Sequence, residues 1–227
     1  DGQNMHIITN FCNGNNLYLH ASKNVLTIPQ ATFYSAQIVS ALKYLHTVKQ
    51  IAHRDLKLQN IFLDHDGYLQ LGDFGSACSF NVSRGKQMKA FTAVGSHRPP
   101  EMILGSSHDQ KVDNWAFGIL LYELLTQSSP FVRDPKRDTQ MDIDKAVLQG
   151  KIQWPKMFRI PFYKCAQDFI ERLLQKQPAN RLSFHDAPSH AFFDGFDFPK
   201  LLARNCDFVK PFRNSGVDTD LSMFQGF

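Results

Sequence analysis

Two short segments hold the residues best suited to chemistry. His53-Arg54-Asp55-Leu56-Lys57-Leu58-Gln59-Asn60 offers a carboxylate, an amine and a carboxamide in one run, and Asp73-Phe74-Gly75 follows Asn60 by thirteen residues. Carboxylate and carboxamide oxygens are the ligands a hard cation takes, and a cation held that way can clamp an in-line displacement. Alone, Asp73-Phe74-Gly75 is no more than a turn. Context gives the pair weight, because the first segment lies between a long amphipathic stretch and two β-rich runs, and the second comes straight after those runs. A strand–turn–strand hairpin between the two loops can bring them together rigidly.

The elements that must do the positioning are legible around them. Phe33, Tyr34, Ile38, Val39, Leu42 and Leu45 recur at helical spacing and predict an amphipathic helix over 30–47. Residues 61–63 and 68–71 read as short strands around a turn on Asp66-Gly67. Residues 5–11 are another β-rich run, preceded by the turn pair Asp1-Gly2, so the chain is expected to open inside a hairpin. Residues 76–100 lack periodicity and read as one long loop, a length that is usually functional or disordered. Residues 112–125 are apolar almost all round, which predicts a helix buried on most faces. Further helical patterns cover 141–149 and 165–176. Beyond Phe193 the pattern becomes irregular and aromatic, with Phe196, Phe198, Phe208, Phe212, Phe224 and Phe227 suggesting a tail anchored by side chains. Short strands and a mostly helical remainder predict an α+β architecture.

Composition excludes several classes. A chain of 227 residues with 43% hydrophobic and 20% charged residues sits in the ordinary globular range. Its net charge of +4 is scattered, so neither nucleic acid nor a membrane surface is expected as a partner. Cys12, Cys78, Cys165 and Cys206 form no C-x-x-C pair, which suits thiols in a reducing compartment better than disulfides or a zinc site. A cytoplasmic or nuclear location is expected, with no basic leader and no apolar run near the length of a membrane span.

The paired segments resemble the H-R-D-L-x-x-x-N catalytic loop and D-F-G metal loop of eukaryotic protein kinases, and Lys57 resembles the serine/threonine branch. Other stretches agree. Pro100-Glu101 resembles the A-P-E element with Pro99 in place of alanine, and Asp113-Asn114-Trp115-Ala116-Phe117-Gly118 resembles D-x-W-x-x-G. Arg181, in Pro178-Ala179-Asn180-Arg181, matches a family arginine. Thr92-Ala93-Val94-Gly95-Ser96 resembles the T-x-C-G-T segment of the AGC group. Pro211-Phe212, Asp218-Thr219 and Phe224-Gln225-Gly226-Phe227 resemble that group's C-terminal extension. The resemblance covers nearly the whole chain and implies a protein-kinase-like fold. Residues 1–16 would be the last N-lobe strand and hinge, 17–193 a mainly helical C-lobe with a short β-hairpin, and 194–227 an AGC-type tail.

What the resemblance implies for chemistry is ATP- and magnesium (Mg2+)-dependent phosphoryl transfer to serine or threonine hydroxyls of protein substrates. Asp55 would accept or orient the substrate proton, and Lys57 would neutralise charge on the transferring group. Asp73 and Asn60 would hold magnesium. Thr9, Asn10, Phe11 and Cys12 would form the gatekeeper and hinge against adenine, with Phe62 beneath the ring and Phe224 returning across the pocket. Thr92 would be phosphorylated by an upstream activating kinase and paired with Arg54. Ser96 and Glu123 would face the substrate. Glu101 would pair with Arg181, and Asp113 would hold the catalytic-loop backbone, because a buried charge must be paired.

Three departures shape the expectations further. The chain has no G-x-G-x-x-G, no V-A-I-K and no glutamate before Glu101. Family order places these before residue 1, so the chain is expected to be truncated ahead of the fifth N-lobe strand. Alone it should be inactive, with an apolar patch around Ile7, Phe11, Phe62 and Phe74. The stretch from Gly95 to Glu101 is two residues shorter than in the family and lacks its tyrosine, which bears on substrate choice. Gln59 and Asn16 stand where basophilic members carry glutamates that read substrate arginines. The alternative function is a non-catalytic pseudokinase or truncated binding module.

Overall fold

A computed structural model of the chain describes residues 9, 11–80 and 95–206. Asn16 caps the first helix, α1 (Leu17–Lys23), by accepting the Leu19 N–H at 3.0 Å. Only Leu17 and Ala21 of this helix are buried, too few to show as a stripe in the sequence. Helix α2 (Ile28–Tyr44) starts two residues earlier than its apolar stripe predicts. Thr27 and Gln30 form a reciprocal capping box there, with bonds of 3.4 and 2.9 Å, and Pro29 sits in the first turn. The α-helix passes at Leu45 into a π-helical turn, Leu45–Lys49, that ends on left-handed Gln50 with φ 55°.

Two antiparallel ladders follow. Strand β1 (Ile51–Ala52) pairs with β4 (Cys78–Ser79), and β2 (Ile61–Leu63) pairs with β3 (Leu69–Leu71) in the register Phe62 opposite Gln70. The β2–β3 turn closes on Gly67 at φ 79°, with Asp64 Oδ1 accepting the N–H groups of Asp66 and Tyr68 at 2.9 Å each. The expected 76–100 loop is thus interrupted by β4, and by a 3-10 turn at Gly95–His97.

The remainder is helical. After α3 (Pro100–Ile103) comes α4 (Lys111–Thr126), in which every residue from Val112 to Leu125 except Glu123 is buried. Then come α5 (Gln140–Gln149), α6 (Lys164–Leu173) and α7 (Phe198–Leu202). Helix α6 ends before the predicted 176, and Leu174 closes it by donating its N–H to the Ile170 carbonyl at 2.9 Å. The core forms where α2 and α6 pack on α4, with Phe117 facing Phe169 and Phe184 at ring-centroid distances of 6.1 and 5.9 Å. Among the described residues beyond Phe193, Phe196 and Phe198 pack against this body. Phe193 and Phe198 meet edge to face at 5.3 Å, Phe196 lies 5.2 Å from Phe198, and α7 carries Leu201 into the core.

Gly118 lets the C-terminal end of α6 pack tightly against α4. A β-carbon there would lie 2.7 Å from Leu174 Cδ2 and 3.0 Å from Leu173 Cβ. Gly118→Ala is expected to destabilise the chain by about 2 kcal/mol through overpacking, read as a lower midpoint in urea unfolding with an unchanged slope.

Candidate active site

The two chemical loops are stitched to one another. His53, fully buried, carries its proton on Nε2, which donates to the Gly72 carbonyl at 2.9 Å, while Nδ1 accepts the Asp55 N–H at 3.3 Å. Gly72 in turn donates its N–H to the Asn60 carbonyl at 2.9 Å. Arg54 Nε donates to the Ser76 carbonyl at 2.6 Å, and the Phe74 ring lies 4.9 Å from that of His53. A side chain at Gly72 would come within 2.7 Å of the Phe62 ring, so this approach requires glycine.

Beneath the first loop sits Asp113, with no exposed surface. Its Oδ2 accepts the His53 N–H at 2.8 Å and its Oδ1 the Arg54 N–H at 2.8 Å. His46, from the π-helical turn, donates Nε2–H to Oδ2 at 2.7 Å. These bonds hold Arg54 in the left-handed region at φ 67°, which a non-glycine residue adopts only when its surroundings impose it. His46 is a partner that sequence reasoning missed. Its only local signal is a histidine at the end of the apolar stripe.

Within the loop, Lys57 Nζ donates to Asp55 Oδ2 at 2.8 Å. Asn60 Nδ2 donates to the same oxygen and to the Asp55 carbonyl, each at 2.9 Å. With its amide hydrogens so placed, Asn60 has only Oδ1 to offer elsewhere. Asp73 is exposed and left-handed at φ 56°, with Oδ1 accepting the Gly75 N–H at 3.3 Å. An exposed carboxylate and a carboxamide oxygen fit the hard-oxygen set that magnesium takes.

On the adenine side, Thr9 and Phe11 are exposed, and Phe62 is half-buried. Cys12 Sγ donates to Gln70 Oε1 at 3.2 Å. Burial, and secondarily the Asp64 carboxylate, push its thiol pKa up, so it stays a neutral donor. Gly14 pairs with the Leu63 carbonyl at 3.0 Å, and the Asn15 carbonyl accepts the Leu63 N–H at 2.9 Å, so the segment after Cys12 runs antiparallel to β2. Asn10, Thr92 and Phe224 lie outside the described residues, as do Ile7, Phe208, Phe212 and Phe227.

On the far side, Glu101 and Arg181 form a bidentate buried pair, with Nη1–Oε1 2.6 Å and Nη2–Oε2 2.7 Å. Ser96 is buried, its carbonyl accepting Trp115 Nε1–H at 3.0 Å and its hydroxyl 2.7 Å from that of Ser129. Glu123 faces His97 at 3.3 Å, and Arg98 pairs with Asp144 at 2.6 Å. Neither contact is expected from sequence, because each joins residues from different elements.

A buried aspartate under a looped H-R-D, joined to a left-handed D-F-G, is the arrangement of a protein-kinase-like lobe, and the chain belongs to the protein kinase domain family, whose pattern matches residues 1–193. Its relatives include AGC-type serine/threonine kinases. It is 33% identical to mouse Ribosomal protein S6 kinase alpha-4 over 92% of this chain, and 38% identical to the cGMP-dependent protein kinase of Toxoplasma gondii over 90%. It is 34% identical to Serine/threonine protein kinase ypkA of Aspergillus fumigatus over 89%. The match spans only 27%, 20% and 31% of those proteins, respectively. Kinases of this family transfer phosphoryl groups to proteins and generally use ATP and magnesium. Among the described residues, no helix is long and apolar enough to cross a membrane.

Proposed function

We propose that these residues carry the phosphotransfer centre of an ATP- and magnesium-dependent serine/threonine kinase acting on protein substrates. The observation that best supports this reading is the set of bonds that ties Asp55, Lys57 and Asn60 into one cluster beside the Asp73 loop. Asp55 receives Lys57 and Asn60 on Oδ2, so Oδ1 is the oxygen that would take the proton of a substrate hydroxyl. Lys57, half-exposed beside it, would neutralise charge on the group in transit. Asn60 Oδ1 and the Asp73 carboxylate would hold magnesium, which when bound supplies charge neutralisation at the phosphate oxygens. Catalysis of this kind is mostly positioning, and the bonds from Asp113 and His53 to the backbone hold the loop that carries these side chains. Thr9, Asn10, Phe11 and Cys12 would serve as the hinge against adenine, with Phe62 beneath it and Phe224 above. A cytoplasmic or nuclear location suits the cysteine spacing.

The test is magnesium-dependent transfer of phosphate from ATP to a serine-containing protein by the full natural protein that contains these residues. Transfer that chelation abolishes and magnesium restores supports the reading. No transfer under any magnesium concentration favours the non-catalytic binding module instead.

Regulation would run through Thr92 and Arg54. Among the described residues, Arg54 donates a side-chain bond only from Nε, which leaves its terminal amino groups for a phosphate dianion. Thr92→Ala is expected to lower activity, and Arg54→Ala to make the kinase indifferent to the modification. Finding no phosphate on Thr92 in active protein from cells, by mass spectrometry, would count against this role.

A further inference from the structure

Gly95, Ser96 and Arg98 are hydrogen-bonded to the body of the lobe. Gly95 donates its N–H to Gln140 Oε1 at 3.0 Å. Ser96 is tied to Trp115 and Ser129, and Arg98 to Asp144. Between them His97 places Nε2, buried and without a hydrogen bond of its own, 3.3 Å from Glu123 Oε2. Glu123 is the one position between Val112 and Leu125 at which α4 reaches the surface. Its side chain is only 21% exposed, and that of His97 20%. The carboxylate therefore opens toward the substrate loop and is covered by it.

We propose that His97 is a specificity-determining residue. From within the chain its imidazole lies against the carboxylate that would otherwise receive a basic side chain of the substrate, so arginine at that subsite gains no preference from this kinase. The inference rests on the kinase reading, in which residues 95–101 line the substrate groove.

The neighbouring positions agree. Asn16 uses its side-chain oxygen to cap α1, so it is a helix cap and not a free substrate reader. Gln59 is exposed and neutral. Asp144, the other carboxylate facing this loop, is held by Arg98. An incoming guanidinium would have to displace the His97 imidazole to reach the Glu123 carboxylate. With Pro99 and Pro100 fixing the backbone straight after Arg98, residues 95–98 lie flat against α4 and α5.

The test is peptide binding to the purified chain, read by fluorescence anisotropy. The probes are serine peptides of one composition, with a single arginine walked through the residues before the acceptor. Wild type is expected to bind all of them alike. His97→Ala is expected to bind about fivefold more tightly when the arginine stands at one particular position, and at no other. His97→Asn, too short to reach Glu123 but still polar, should show the same gain and guards against a collapsed loop. Adding Glu123→Gln should erase it, which a merely structural role for His97 does not require. A wild-type preference for arginine at one position would overturn the inference. So would a gain that survives Glu123→Gln, or uniform affinity in every variant, undetectable binding included. No phosphoryl transfer is needed for this readout. A failure here leaves the kinase reading standing, and a catalytically inert chain leaves this inference testable.

Discussion

Asp55→Asn in the full protein is expected to lower the rate of phosphoryl transfer about a hundredfold to ten-thousandfold, with nucleotide binding preserved. The argument rests on which oxygen faces which partner. Oδ2 of Asp55 receives Lys57 at 2.8 Å and Asn60 at 2.9 Å. An asparagine can keep its single oxygen on those two donors and hold the same shape. Its amino group then faces the substrate hydroxyl, a donor where an acceptor is needed. The loop itself should be undisturbed, because its backbone hangs on Asp113 and His53 rather than on the Asp55 carboxylate. Single-turnover transfer and calorimetric ATP binding, measured on the same preparation, separate the two effects. Retention of most activity would show that Asp55 is not the acceptor. Asp73→Asn makes the contrasting case: it exchanges a charged oxygen at the proposed metal site for a neutral one and should weaken magnesium-dependent nucleotide binding as well.

Glu101→Ala is expected to destabilise the lobe by about 3–5 kcal/mol, enough to unfold much of the population. Arg181 has no exposed side-chain surface, and Glu101 is 7% exposed. The guanidinium also donates to the carbonyls of Gln175, Lys111 and Lys176 at 2.7, 3.0 and 3.2 Å, and lies 5.2 Å from the Trp115 ring. Those carbonyls satisfy its hydrogens but do not carry the compensating charge. Removing the carboxylate leaves a buried cation, and that uncompensated charge dominates the loss. Replacing both residues with an apolar pair of similar volume should recover part of the stability. Chemical unfolding of the three proteins checks this. A loss below about 1 kcal/mol for Glu101→Ala, typical of exposed pairs, would mean that water reaches the pair in solution.

How much was legible beforehand differs between elements for physical reasons. The helix around Phe33, Val39 and Leu42 announced itself because one face is buried and the other wet. Helix α4 announced itself by having almost no wet face at all. The β2–β3 hairpin was visible through Asp66-Gly67, whose turn needs the positive φ that glycine supplies. Strands β1 and β4, two residues each, are too short for any period and exist because the two loops are drawn together. Helix α1 escaped notice because its signal is a cap on Asn16, a residue read instead only as the replacement of a substrate-reading glutamate.

By itself the sequence determined which residues could do chemistry here: Asp55, Lys57, Asn60 and Asp73 stand at spacings that local strands and turns impose, and those depend on neighbours along the chain. Their family resemblance also named Glu101, Arg181 and Asp113. Only the tertiary structure decided what each of them touches. The partners of Glu101 and Asp113 lie 80 and about 60 residues away, and His46, His97, Arg98 and Asp144 acquired roles that no local pattern carries. The reason is that a charge in a half-buried place pairs with whatever packing brings near. That choice belongs to how α4 and α5 sit under the loops, not to the order of residues within any one of them.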